Sequence, residues 1–148
     1  MHVAVRRLGP GDEEAVLAAA ALFDVAPQPD ATRRFLADPT HHLLLAHDAD
    51  DNPIGFVSGI EVTHPDKGTE MLLYELAVDE AVRRRGVGRT LVEALEGLAR
   101  EQGCYGMWVL ADYDNEAARA TYARAGGRAA ARPVMIDWDF RGSAPTRR

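Results

Sequence analysis

Three guanidinium groups and two glycines stand together at Arg83, Arg84, Arg85, Gly86, Val87 and Gly88, with Arg89 directly behind them. An apolar run precedes this hexapeptide and a stretch of helical spacing follows it, so it reads as a turn that opens a helix. The first amides of a helix have no intrahelical partner, and they sit at the positive end of the helix dipole. Glycines let an anion come close to such amides, and arginines add charge around it. The turn is therefore suited to a diphosphate. Taken alone it reads equally as a basic surface turn, because it has neither the Rossmann glycine spacing nor a Walker lysine.

Other residues could act on a second reactant. Glu75 is the only ionisable side chain in the apolar run 71–78, where burial should raise its affinity for a proton. A strand glutamate facing solvent, or paired with an arginine, is the plainer alternative. Asp112, Asp114 and Glu116 lie within five residues, which also suits an ordinary helix start. Tyr122 follows Asn115 by seven residues, two turns along one helix face. Core packing for Tyr122 and simple capping for Asn115 are the competing explanations. His41, His42 and His47 share one strand without a matching set of acids or cysteines, so solvated histidines are expected there rather than metal ligands.

The elements that must position these residues follow from periodicity and breakers. Residues 2–8 form a first strand, and 13–21 a helix after the Gly9–Gly11 break. Residues 23–30, with Pro27 and Pro29, form a loop, and Asp30 caps a short helix through Leu36. The two short helices and their irregular joint make a pocket wall. Residues 41–47 and 54–63 form an antiparallel hairpin across a turn-forming stretch, and 71–78 a central strand buried on both faces. The spacing of Val87, Leu91, Leu95 and Leu98 gives a helix ended by Gly103. A strand at 105–111, a helix at 115–125 closed by Gly126 and Gly127, and an alternating strand at 134–140 complete the chain. Cys104 and Trp108 are expected in the core, and Trp138 either in the core or at a dimer contact. The order implies an α/β domain over residues 1–141 with a frayed tail at 142–148.

With 148 residues, one such domain can bury a core without staples. The net charge is −6, with 23 acidic against 17 basic side chains, which disfavours a nucleic-acid partner and suits a cationic one. The single cysteine and the lack of a leader point to a reducing, cytoplasmic setting. No apolar run approaches the roughly 20 residues of a membrane span, so no membrane role is expected.

The pattern Arg83-x-x-Gly86-x-Gly88 follows a strand ending in Glu75, Leu76, Ala77 and Val78, and precedes an amphipathic helix. In this context the chain resembles the GNAT superfamily of N-acetyltransferases, and the helix 115–122 and its Gly126-Gly127 end extend the likeness. The resemblance implies a GNAT fold: α/β, with a mixed, mostly antiparallel central sheet whose central strands splay, flanked by about four helices. It implies acetyl-CoA as acetyl donor, its pyrophosphate on residues 83–89 and its pantetheine on the backbone of Leu76, Ala77 and Val78. Asn115 and Tyr122 would complete the donor site, with Tyr122 as general acid near the thioester sulfur. Glu75 would be the base, or the anchor of the substrate ammonium. A homodimer is the commonest arrangement in the family. Residues 23–26, 28–30, 74–78, 111–114 and 135–140 further resemble the aminoglycoside 3-N-acetyltransferases of type I, which acetylate the 3-amino group of deoxystreptamine and confer resistance. That likeness implies ammonium contacts from Glu75, Asp112, Asp114 and Asp139, with Glu75 standing where a shorter Asp is expected. The alternatives are acetylation of another amine, such as a polyamine, an amino acid or a protein N-terminus, and a non-catalytic acyl-CoA-binding module.

Overall fold

The computed structural model describes residues 1–130 and 132–141, and the tail expected at 142–148 lies outside them. The described residues fall into two compact units, one from Met1 to Leu110 and one beginning at Ala111. No helix among them is long and apolar enough to cross a membrane.

The first unit is built on a five-stranded mixed sheet. Its strands are β1 (Ala4–Leu8), β2 (His41–His47), β3 (Pro53–His64), β4 (Gly68–Val78) and β5 (Met107–Trp108), paired in that spatial order. The first four pair antiparallel, and β5 joins β4 in parallel. Helices α1 (Glu13–Ala18) and α2 (Pro29–Ala37) lie between β1 and β2 in sequence, and α3 (Val87–Glu101) between β4 and β5. Pro29 opens α2, because a proline at the first helical position gives up only an amide that would lack a partner anyway. The expected cap at Asp30 is therefore displaced to Gln28.

Each face of the sheet has its own apolar layer. Leu8, Val16, Ala19, Leu36, Leu43, Leu45 and Phe56 pack together on the side of α1 and α2. On the other side Val87, Leu91 and Leu95 of α3 are fully buried. At Gly59 a Cβ would stand 2.7 Å from Leu95 Cδ1 and 2.9 Å from Met71 Sδ, so any larger residue there would force those side chains to shift. Gly103, at φ 79°, follows the end of α3 in the left-handed region, as the sequence indicates.

His42 departs from expectation. It is fully buried, with Nε2 2.7 Å from Glu61 and Nδ1 3.0 Å from an Arg7 guanidinium nitrogen. Because the arginine can only donate, Nδ1 accepts, and Nε2–H donates to Glu61. β2 is buried on both faces from His42 to Ala46, so His42 has no solvent-facing side to occupy, contrary to the expectation that solvent would hold it.

The second unit contains α4 (Glu116–Arg124), capped by Asn115, with Gly126 at φ 94° just beyond it. Residues 134–140 do not form the expected strand. Their alternation meets no partner strand among the described residues, and Trp138 is 70% exposed rather than in the core. Trp108 is likewise 38% exposed, because only Met107 and Trp108 of the expected strand 105–111 pair with the sheet.

Candidate active site

The site in the first unit depends on one extra residue in β4. Ser58 of β3 faces Glu75, while its neighbour Gly59 faces Leu73, which leaves Tyr74 without an opposite number. Such a bulge breaks the alternation of the strand and sharpens its twist. Before it, Leu73 lies on the α3 face with its partner Gly59; after it, Glu75 and Ala77 lie with Ser58 and Phe56 on the face of α1 and α2. Without the bulge Glu75 would point with Leu73 into the apolar layer under α3. The buried Ser58 hydroxyl accepts the Glu75 amide at 3.1 Å and so fixes the distortion. Ser58→Ala should therefore destabilise the chain by about 1 kcal/mol and lower turnover while leaving donor affinity unchanged, as urea unfolding and kinetics can measure.

The bulge also corrects the expectation that β4 is buried on both faces. Tyr74 is exposed and Glu75 through Val78 are half-buried. Nor is Glu75 the only acid of the strand, since β4 begins early enough to include Glu70. Hydrogen bonds from His64 and Tyr105 hold the Glu70 carboxyl below the usual glutamate range.

β4 and β5 pair only at Met71 with Met107 and at Leu72 with Trp108. From Leu73 to Val78 that edge of β4 has no strand partner among the described residues. This is the expected splay. It exposes the backbone of Leu76, Ala77 and Val78 on the side where an extended ligand can add like a strand. The Val78 carbonyl already accepts Arg83 Nε at 3.3 Å, a tie that joins the end of β4 to the basic turn and was not foreseen from the sequence.

The turn itself is shaped for an anion. Arg84 and Gly86 both take left-handed backbone conformations, at φ 64° and 83°, on either side of Arg85. Curled backbone of this kind turns successive amides toward one point. A Cβ built on Gly86 would meet nothing within 4 Å, so the space beside it is open to a ligand. Gly86 is the N-cap of the 15-residue α3 and offers no side-chain cap. The side chains of Arg84 and Arg85 are exposed, whereas Arg89 pairs with Glu93 one turn along α3 at 2.7 Å. Buried Val87 anchors the start of the helix against the sheet. These residues fit a pyrophosphate.

On the α1 and α2 face the unit contains a cleft of about 530 Å³, within the range of small-molecule sites. The loop between the two helices forms one wall, as the sequence suggested, and Ser58, Tyr74 and Glu75 border it from the sheet. Glu75, Leu76, Ala77, Val78 and the turn 83–89 thus belong to one continuous stretch of the first unit. Ser58 and Tyr74 were missed. The signal for Ser58 was a lone hydroxyl in the apolar run of β3.

Asp112, Asp114, Asn115, Tyr122 and Asp139 belong to the second unit. Asn115 Oδ1 accepts the Ala118 amide at 3.1 Å, so its capping role is present in the structure. Asp112 and Asp114 are exposed before α4, and Asp139 Oδ1 accepts the Arg141 amide at 3.0 Å and its Nε at 3.1 Å. Tyr122 is half-buried, and its burial raises the phenol above the usual tyrosine range. A raised phenol keeps its proton near neutral pH, the state in which it can donate.

Comparison with known proteins agrees with this geometry. A 98-residue stretch, 65% of the chain, is 47% identical to a mycothiol acetyltransferase of Clavibacter sepedonicus, of which it covers 29%. An 89-residue stretch, 57% of the chain, is 33% identical to an L-2,4-diaminobutyric acid acetyltransferase of Streptomyces coelicolor, of which it covers 51%. The chain therefore spans about half or less of the length of these curated relatives. A crystal structure of an aminoglycoside acetyltransferase from an uncultured soil metagenomic sample superposes with a TM-score of 0.79 at 27% identity, covering 94% of this chain and 100% of the other. Residues 14–127 match the model of the acetyltransferase (GNAT) family, whose members use acetyl-CoA. With more than half its length matched, and with the splayed β4 and the amide-lined turn in place, the chain belongs to the acetyltransferase (GNAT) family.

Proposed function

We propose that the protein transfers an acetyl group from acetyl-CoA to a primary amine of a cationic small molecule. The observation that carries this reading is the bulged β4, which joins Glu75 on the cleft face to an unpaired backbone edge leading into the turn at Arg83 to Arg89. Acetyl-CoA, when bound, supplies the activated acetyl group; the turn holds its pyrophosphate and the edge of Leu76 to Val78 its pantetheine.

The chain's own side chains divide the proton work. An amine attacks only in its neutral form, so a carboxylate must take the ammonium proton; Glu75 borders the cleft where that amine would sit. Tyr122, a phenol protonated at neutral pH, is the group to protonate the departing sulfur. Tyr122→Phe should lower kcat by about 100-fold with little change in the KM for acetyl-CoA. An unchanged kcat would reduce Tyr122 to packing.

Two acceptor classes come from particular observations. An aminoglycoside acceptor is supported by the likeness to the soil aminoglycoside acetyltransferase and by the acids Asp112, Asp114 and Asp139, while acetylation at the 3-amino group of deoxystreptamine rests on the sequence resemblance alone. A smaller amine, such as a diamino acid or polyamine, is supported by the relative that carries diaminobutyrate in its name. Thiol release from acetyl-CoA, followed across both classes, tests the proposal. Tight acetyl-CoA binding with no acetylation of any amine would instead favour an acyl-CoA-binding module. A homodimer is part of the same proposal, and light scattering tests it.

A further inference from the structure

The cleft bordered by Glu75 says more about the acceptor than its charge. Of its 18 lining residues, 12 are apolar or aromatic, and the carboxylates among them are Asp24 and Glu75. Its floor is aromatic: the Phe23 ring stacks on the fully buried Phe56 ring with centroids 4.3 Å apart and planes at 18°, and Phe35 meets the His41 ring edge-on at 5.2 Å. Val16, Leu36 and Leu43, all nearly inaccessible to solvent, back this floor. Ile60 continues the wall along β3 beside Ser58.

Such a surface discriminates strongly. A hydroxyl or second ammonium pressed against phenylalanine rings loses its water without gaining a partner, whereas an apolar body gains from leaving water. An ammonium close to the Glu75 carboxylate is favoured by its charge. Resting on the acetyl-transfer reading above, and in place of the two acceptor classes weighed there, we infer that the acceptor is a primary amine on an apolar, preferentially aromatic body, an arylalkylamine or a branched alkylamine. The charged nitrogen sits at the Glu75 border of the cleft. The body lies on Phe23 and Phe35.

The experiment measures acetylation of 2-phenylethylamine, 1,5-diaminopentane and neamine by the whole chain, with acetyl-CoA binding followed separately by calorimetry. The expected result is a kcat/KM for 2-phenylethylamine at least about tenfold above the other two. Equal or better turnover of the diamine or of neamine overturns this inference and leaves acetyl transfer standing. If acetyl-CoA binds and no amine is acetylated, the transfer reading fails. Binding of 2-phenylethylamine, observed by NMR, then decides the cleft on its own: binding that excludes neamine upholds it, and no binding overturns it. Ile60→Asp and, should that variant fold poorly, Thr32→Asp on α2 place a carboxylate in the wall. Each should cut the preference for 2-phenylethylamine over the diamine by about tenfold with acetyl-CoA affinity unchanged. A preference that does not move overturns the inference.

Discussion

Glu75→Gln is expected to lower kcat/KM for the amine by about 100-fold or more, while the affinity for acetyl-CoA stays within about twofold of the original. The substitution keeps the size of the side chain and its capacity for hydrogen bonds, and removes its negative charge together with the ability to take a proton. Its backbone amide remains on the Ser58 hydroxyl, so the bulge that turns it toward the cleft is preserved. Steady-state kinetics at saturating acetyl-CoA, paired with calorimetry of donor binding, separates the two quantities. A rate within about threefold of the original would make Glu75 part of the cleft border and nothing more. Loss of both quantities together would mean that the residue holds β4 in shape rather than serving the reaction.

Gly86→Val should abolish donor binding in practice, with an affinity loss of about 100-fold or more, equivalent to about 2.7 kcal/mol. Two effects contribute, and they can be separated. A β-branched residue at φ 83° is strained by about 1–2 kcal/mol, which weakens the start of α3. The added side chain also occupies the open space beside the turn, where a Cβ meets no protein atom within 4 Å. Gly86→Asn is the control, because asparagine accepts the left-handed conformation far more readily. It should unfold at nearly the original urea concentration yet still bind acetyl-CoA weakly. If Gly86→Asn binds the donor as well as the original chain, the turn does not hold the pyrophosphate.

Features carried by a local pattern were readable in the sequence. The turn at Arg83 to Gly88, the amphipathic α3 and the hairpin of β2 and β3 all appear where composition and spacing put them, because each is decided by neighbours within one or two turns of chain. The bulge at Tyr74 was not readable, since the extra residue exists only relative to the register of β3. His42 was misjudged for a related reason: the arginine and glutamate that satisfy it come from β1 and β3. Residues 134–140 show the converse, a strand-like alternation that finds no partner among the described residues. Alternation shows what a segment could bury, and pairing decides whether it does. In the candidate site, the chemistry of Glu75 was visible in its residue type, but its orientation depends on a hydroxyl 17 positions away in sequence. The apolar character of the cleft was hidden as well, because its lining is drawn from α1, α2, their joint and three strands.

The unpaired position at Tyr74 makes chain length in β4 a matter of parity. Deleting that single residue would turn the bulge into regular pairing, with Leu73 and Glu75 as immediate neighbours on opposite faces, so Glu75 would keep the cleft face. Among variants of this chain, loss of Tyr74 should therefore be tolerated better than loss of a single residue between Glu75 and Val78, which would reverse the facing of the residues after it.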